Sequence, residues 1–105
     1  MRTEKQLHTY IKKLCQSKKV MMAKIHAENR SGWPDLILIH KGYVIFMELK
    51  APSGTGVLSA RQIITIDRMR ANGAEVYVCD SQEKADFIVE SLINREPTTS
   101  HYKSL

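Results

Sequence analysis

Residues 32–50 constrain this chain more than any other stretch. Two unbroken apolar runs, 36–39 and 43–47, are bounded by turn signals at Trp33-Pro34 and Lys41-Gly42, the pattern of two strands joined by a tight turn. Such continuous apolar character predicts strands buried on both faces. Into this hairpin the sequence places Asp35, Glu48 and Lys50. Side chains alternate across a strand, so Glu48 and Lys50 project from one face while Leu49 points to the other and leaves its carbonyl beside them. An isolated buried carboxylate or ammonium costs on the order of several kcal/mol, which pairing or a metal must offset.

Two readings of these charges follow. In the first, carboxylate oxygens of Asp35 and Glu48 and the backbone carbonyl of Leu49 form a hard ligand set for Mg²⁺ or Mn²⁺, with Lys50 next to a bound water. In the second, Glu48 and Lys50 pair with each other at the end of the hairpin and Asp35 only terminates a turn. The spacing is compatible with both.

Around the hairpin the chain has α/β order. Thr3-Glu4-Lys5-Gln6 is a capping box that opens a helix with Leu7, Tyr10, Ile11 and Leu14 on one stripe and Cys15 beside it. Glu4 in its first turn favours the helix dipole by about 0.3–1 kcal/mol. Residues 20–27 form a first strand, on which Lys24 and His26 share a face, either toward phosphate or toward solvent. A polar loop over 28–32 carries Arg30 close to Asp35, where it would meet a backbone phosphate. Trp33 either stacks on an exposed base or anchors packing.

Beyond Lys50 a Pro- and Gly-rich loop over 51–58 closes over a strand or simply connects two elements. Ser59-Ala60-Arg61-Gln62 is a second capping box, opening a helix lined by Ile63, Ile66 and Met69 that ends at Asn72-Gly73. Gln62 is its N3 cap partner, and Arg61 beside the helix N-terminus suits a phosphate. A strand over 75–79 and a last helix with Ala85, Ile88, Val89 and Leu92 buried complete the order, and the connection from Lys50 implies a right-handed crossover to a parallel neighbour. The expected division is one domain over 1–95 and a polar tail over 96–105.

With 16 Lys and Arg against 11 Asp and Glu, the chain carries +5 formal charge, and phosphate is the partner that suits this balance. No apolar run approaches the roughly 18 residues that span a bilayer, and no secretory pattern opens the chain, so an intracellular location is expected. Cys15 and Cys79 are expected as small buried residues without a disulfide. His8, His26, His40 and His101 show no zinc spacing.

Pro34-Asp35 followed by Glu48-Leu49-Lys50 resembles the PD-(D/E)XK nuclease signature. Gly32-Trp33-Pro34-Asp35-Leu36 resembles its virus-type replication-repair nuclease (VRR-NUC) branch, and the likeness extends from Glu4 through Ser59-Ala60-Arg61-Gln62 to Gly73. The resemblance implies a restriction-endonuclease-like α/β core, a mixed β-sheet flanked by helices in the order α-β-β-β-α-β-α. It implies a Mg²⁺- or Mn²⁺-dependent, structure-specific DNA endonuclease acting on branched DNA such as Holliday junctions, usually as a homodimer. Asp35, Glu48, Lys50, Glu4 and Gln62 would then be catalytic, with Asp35, Glu48, the Leu49 carbonyl and Glu4 as metal ligands; Lys24, His26, Arg30 and Arg61 would contact DNA. Two alternatives stand beside this one: a sequence-specific restriction-type endonuclease, and a non-catalytic nucleic-acid-binding module.

Overall fold

The computed structural model describes residues 1–26 and 32–97. Helix α1 (Glu4–Lys18) starts as its capping box requires: Gln6 N donates to Thr3 Oγ1 at 3.1 Å and Thr3 N to Gln6 Oε1 at 3.1 Å. Strands β1 (Met21–Lys24), β2 (Leu36–His40) and β3 (Tyr43–Leu49) follow, then α2 (Ala60–Ala71), β4 (Glu75–Cys79) and α3 (Gln82–Ile93). The strands lie in the order β1-β2-β3-β4; the first three pair antiparallel, and β4 is parallel to β3, as the crossover through α2 demands. Lys41 and Gly42 both have positive φ, 51° and 89°, which a two-residue hairpin turn needs to match the strand twist.

The two faces of the sheet are covered unequally. Leu7, Ile11 and Cys15 of α1 and Ala85, Ile88, Val89 and Leu92 of α3 close over Leu36, Leu38, Ile45, Met47 and Leu49, forming the main core. Tyr10 and Asp86 share a hydrogen bond that ties these two helices together. On the other face α2 sets Ile66 and Met69 against Val76, with Phe46, Val78 and Trp33 packed around them. This helix covers only the β3–β4 half. The expectation of burial on both faces is therefore corrected: Leu36 and Leu38 are fully buried, Ile37 and Ile39 are partly exposed, and Val44 is 43% exposed. One helix of 12 residues is too narrow to roof four strands.

The first strand is also shorter than the predicted 20–27. Val20 closes the end of α1, donating from its N to Cys15 O at 2.9 Å, and Ala27 lies outside the described residues, as do most of the predicted polar loop with Arg30, the tail beyond Pro97, and His101. At the end of the sheet away from Glu48, Arg95 forks onto Glu75 at 2.8 and 2.7 Å and stacks 5.0 Å from the Tyr43 ring. Both cysteines are free and buried, and burial raises the Cys15 thiol to about 11. Among the described residues no helix is long and apolar enough to cross a membrane.

Candidate active site

The acidic residues meet where β2 begins and β3 ends. Pro34 is fully buried and fixes the entry to β2. Asp35 follows, its backbone O accepting from Ile25 N at 2.8 Å and its Oδ2 from Leu49 N at 2.8 Å. A strand residue sends its N–H and C=O toward the same neighbour, so the Leu49 carbonyl faces the edge at which Asp35 stands. Lys50 N donates to Cys79 O at 2.9 Å, which pins the end of β3 to β4.

Glu48 lies on the α2 face and is only 2% exposed. Its Oε2 accepts from Gln62 Nε2 at 2.7 Å and lies 3.4 Å from Lys50 Nζ. Its Oε1 is buried and has no hydrogen-bond partner among the described residues. Burial, then the charge of Asp35, pushes the Glu48 carboxyl up to about 7, against the pull of Lys50.

Gln62 completes the cap of α2 and also contacts Glu48 and Lys50. Its backbone N donates to Ser59 Oγ at 3.1 Å and its Oε1 accepts from Ser59 N at 2.9 Å, completing the cap. The same Oε1 accepts from Lys50 Nζ at 3.0 Å, while Nε2 serves Glu48. The cap of α2 is thus wired to the ends of the hairpin, and helix placement fixes both charged side chains.

The donor set suits a hard divalent cation. A buried carboxylate oxygen without a partner is costly in a protein interior, and here it sits near a second carboxylate, a combination that a cation relieves. Among the described residues no group of three or more His, Cys, Asp or Glu is gathered closely enough to hold an ion. The protein would then offer two carboxylates and a carbonyl, leaving several positions to water, as Mg²⁺ prefers.

The other predicted site residues are more scattered. Glu4 is exposed in the first turn of α1 and is not gathered with Asp35 and Glu48. Lys24 pairs across from Leu36, so it shares the α1 face, opposite Glu48, and is exposed, as is His26. Arg61 stands in the first turn of α2 next to Gln62, and Arg30 is outside the described residues.

Gly32 is a positioning feature beyond the sequence reading. At φ +100°, a Cβ there would lie 2.8 Å from both Arg61 O and Thr65 Oγ1, so the chain presses directly onto α2 three residues before Asp35. Gly32→Ala is expected to destabilise the protein by about 2–4 kcal/mol, combining left-handed strain with overpacking against backbone. Urea unfolding measures it; a change below about 0.5 kcal/mol, ordinary for a surface substitution, would show that this approach is not tight.

A mixed four-stranded α/β sheet with carboxylates at the ends of its central strands is consistent with a PD-(D/E)XK-like core, a nuclease-type architecture. The VRR-NUC domain family matches residues 2–83. A solved structure described as a VRR_NUC domain superposes with a TM-score of 0.75 at 27% identity, over 86% of this chain and 97% of that one. No curated protein matches. The chain belongs to the VRR-NUC family.

Proposed function

We propose that residues 1–95 form a Mg²⁺- or Mn²⁺-dependent endodeoxyribonuclease domain that cuts branched DNA such as four-way junctions, inside the cell and as a homodimer. The observation that carries this reading is the unpartnered Glu48 Oε1 beside Asp35, in a chain of a nuclease-type family. Asp35, Glu48 and the Leu49 carbonyl would hold the cation. When bound, it would supply the positive charge that acidifies water and neutralises the scissile phosphate.

Lys50 Nζ would orient the attacking water and stabilise charge on the phosphoryl oxygens, a use that suits a compact ammonium. Gln62 hydrogen-bonds both Lys50 Nζ and Glu48 Oε2, which holds the two side chains in place as charge develops. Glu4 would support the ligand set; Lys24, His26, Arg30 and Arg61 would meet phosphates. Two sites related by a two-fold would cut two strands of a junction symmetrically. A domain this small has little area for reading bases, which favours recognition of shape.

Purified protein incubated with four-way, flap, duplex and single-stranded DNA, with and without Mg²⁺, tests the proposal. The expected result is Mg²⁺-dependent, paired cuts near the branch point. Cleavage that follows duplex sequence and ignores branching would instead indicate a restriction-type enzyme, and no cleavage of any substrate would refute the nuclease assignment.

A further inference from the structure

Between α2 and the sheet runs a groove of about 1110 Å³, open to solvent on one side. Trp33 and Phe46 present aromatic surface from the sheet side. Arg61, Ile64, Thr65 and Arg68 line the helix side. They recur three, four and seven residues on from Arg61, so they form one stripe of α2, and its two arginines stand two turns, about 10 Å, apart.

The lining holds no Asp or Glu among the described residues, and Arg68 is exposed with no ion pair to any of them. The groove starts at the candidate active site: Trp33 is two residues before Asp35, and Arg61 immediately precedes Gln62. Gly32, packed on Arg61 and Thr65, joins its two walls.

Aromatic rings beside regularly spaced cations form a platform for unpaired nucleotides. Bases within a duplex hide their faces in the stack, whereas a single strand can lay a base on a ring and its phosphates on arginine. We propose that this groove binds a single-stranded stretch of nucleic acid beside the scissile phosphate, with a base against Trp33 or Phe46 and the backbone at Arg68. The location beside a scissile phosphate rests on the nuclease reading; the binding itself does not.

Trp33 is the chain's one tryptophan, so its fluorescence reports on the groove alone. The full chain carrying Asp35→Asn, in EDTA so that nothing is cut, is titrated with an oligothymidylate and with a blunt duplex of equal length. Saturable quenching by oligothymidylate, at several-fold higher affinity than the duplex, is expected. Arg68→Gln, a surface change that leaves the fold intact, should weaken that binding and reduce the slope of log affinity against log salt by about 0.7, one phosphate contact on a single strand.

Absent quenching, an unchanged salt slope in Arg68→Gln, or equal affinity for duplex would each overturn the inference. So would variants that alter the sedimenting mass and not the affinity, since the groove would then be an interface between copies of this chain. Mg²⁺-dependent junction cleavage by the parent without quenching defeats this inference alone. Quenching without cleavage defeats the nuclease assignment and leaves the groove standing.

Discussion

Asp35→Asn is expected to reduce Mg²⁺-dependent cleavage of branched DNA by at least about a thousandfold, because the charge stabilisation a bound cation provides is worth several kcal/mol and each factor of ten is about 1.4 kcal/mol. DNA affinity in EDTA should be undiminished, since the change removes a negative charge and leaves the basic surface whole. Asparagine is preferred to alanine for a structural reason. Asp35 Oδ2 accepts from Leu49 N at 2.8 Å, and an amide oxygen can keep that bond whereas a methyl group cannot. Asp35→Ala should therefore lose activity equally and cost about 1–3 kcal/mol of stability besides, for the amide left without an acceptor. Single-turnover cleavage rates beside urea unfolding separate the two effects. Parental rates in Asp35→Asn would remove the carboxylate from the reaction.

Glu48→Gln should stabilise the metal-free protein while abolishing its activity. The folded Glu48 carboxyl titrates at about 7, raised mainly by burial, whereas the unfolded chain releases the same proton near 4.5. Between those values the folded state binds more protons than the unfolded state, so stability falls as pH rises through this window and levels off above it. At about 1.4 kcal/mol per pH unit, the loss across the window is on the order of 3 kcal/mol. A neutral amide carries no such penalty: it can still accept from Gln62 through one atom, and it presents an NH₂ toward the Asp35 side where Oε1 stands alone. In EDTA, Glu48→Gln should match the parent near pH 4.5 and exceed it by up to about 3 kcal/mol at pH 8. Parallel pH–stability curves for the two proteins would show that Glu48 carries no buried penalty. A residue whose removal strengthens the fold is retained for chemistry, the trade expected at a functional site.

Local features carried most of the fold. Both capping boxes, at Thr3 and Ser59, form their reciprocal bonds, and the Lys41-Gly42 turn sets the hairpin register, because each depends on residues within a few positions of one another. The misjudged features are those decided by distant parts of the chain. Apolar Ile37, Ile39 and Val44 cannot signal that α2 stops short of them, and Val20 is buried yet belongs to the close of α1. At the site, alternation along β3 already placed Glu48 and Lys50 on one face. The Asp35–Leu49 bond across 14 positions, and the contact of Gly32 with α2, required the tertiary structure. Gln62 needed both: its cap role is local, its hold on Glu48 and Lys50 is not. Arg68 is legible by spacing alone, since it lies two helical turns on from Arg61.

That a divalent cation belongs between Asp35 and Glu48 is tested most directly by calorimetric titration with Mn²⁺ of the parent and of the Asp35→Asn/Glu48→Gln double variant, both checked by circular dichroism for intact secondary structure. Saturable binding heat in the parent and none in the double variant is the expected result. Equal heat in both proteins, or none in the parent at millimolar Mn²⁺, would contradict it.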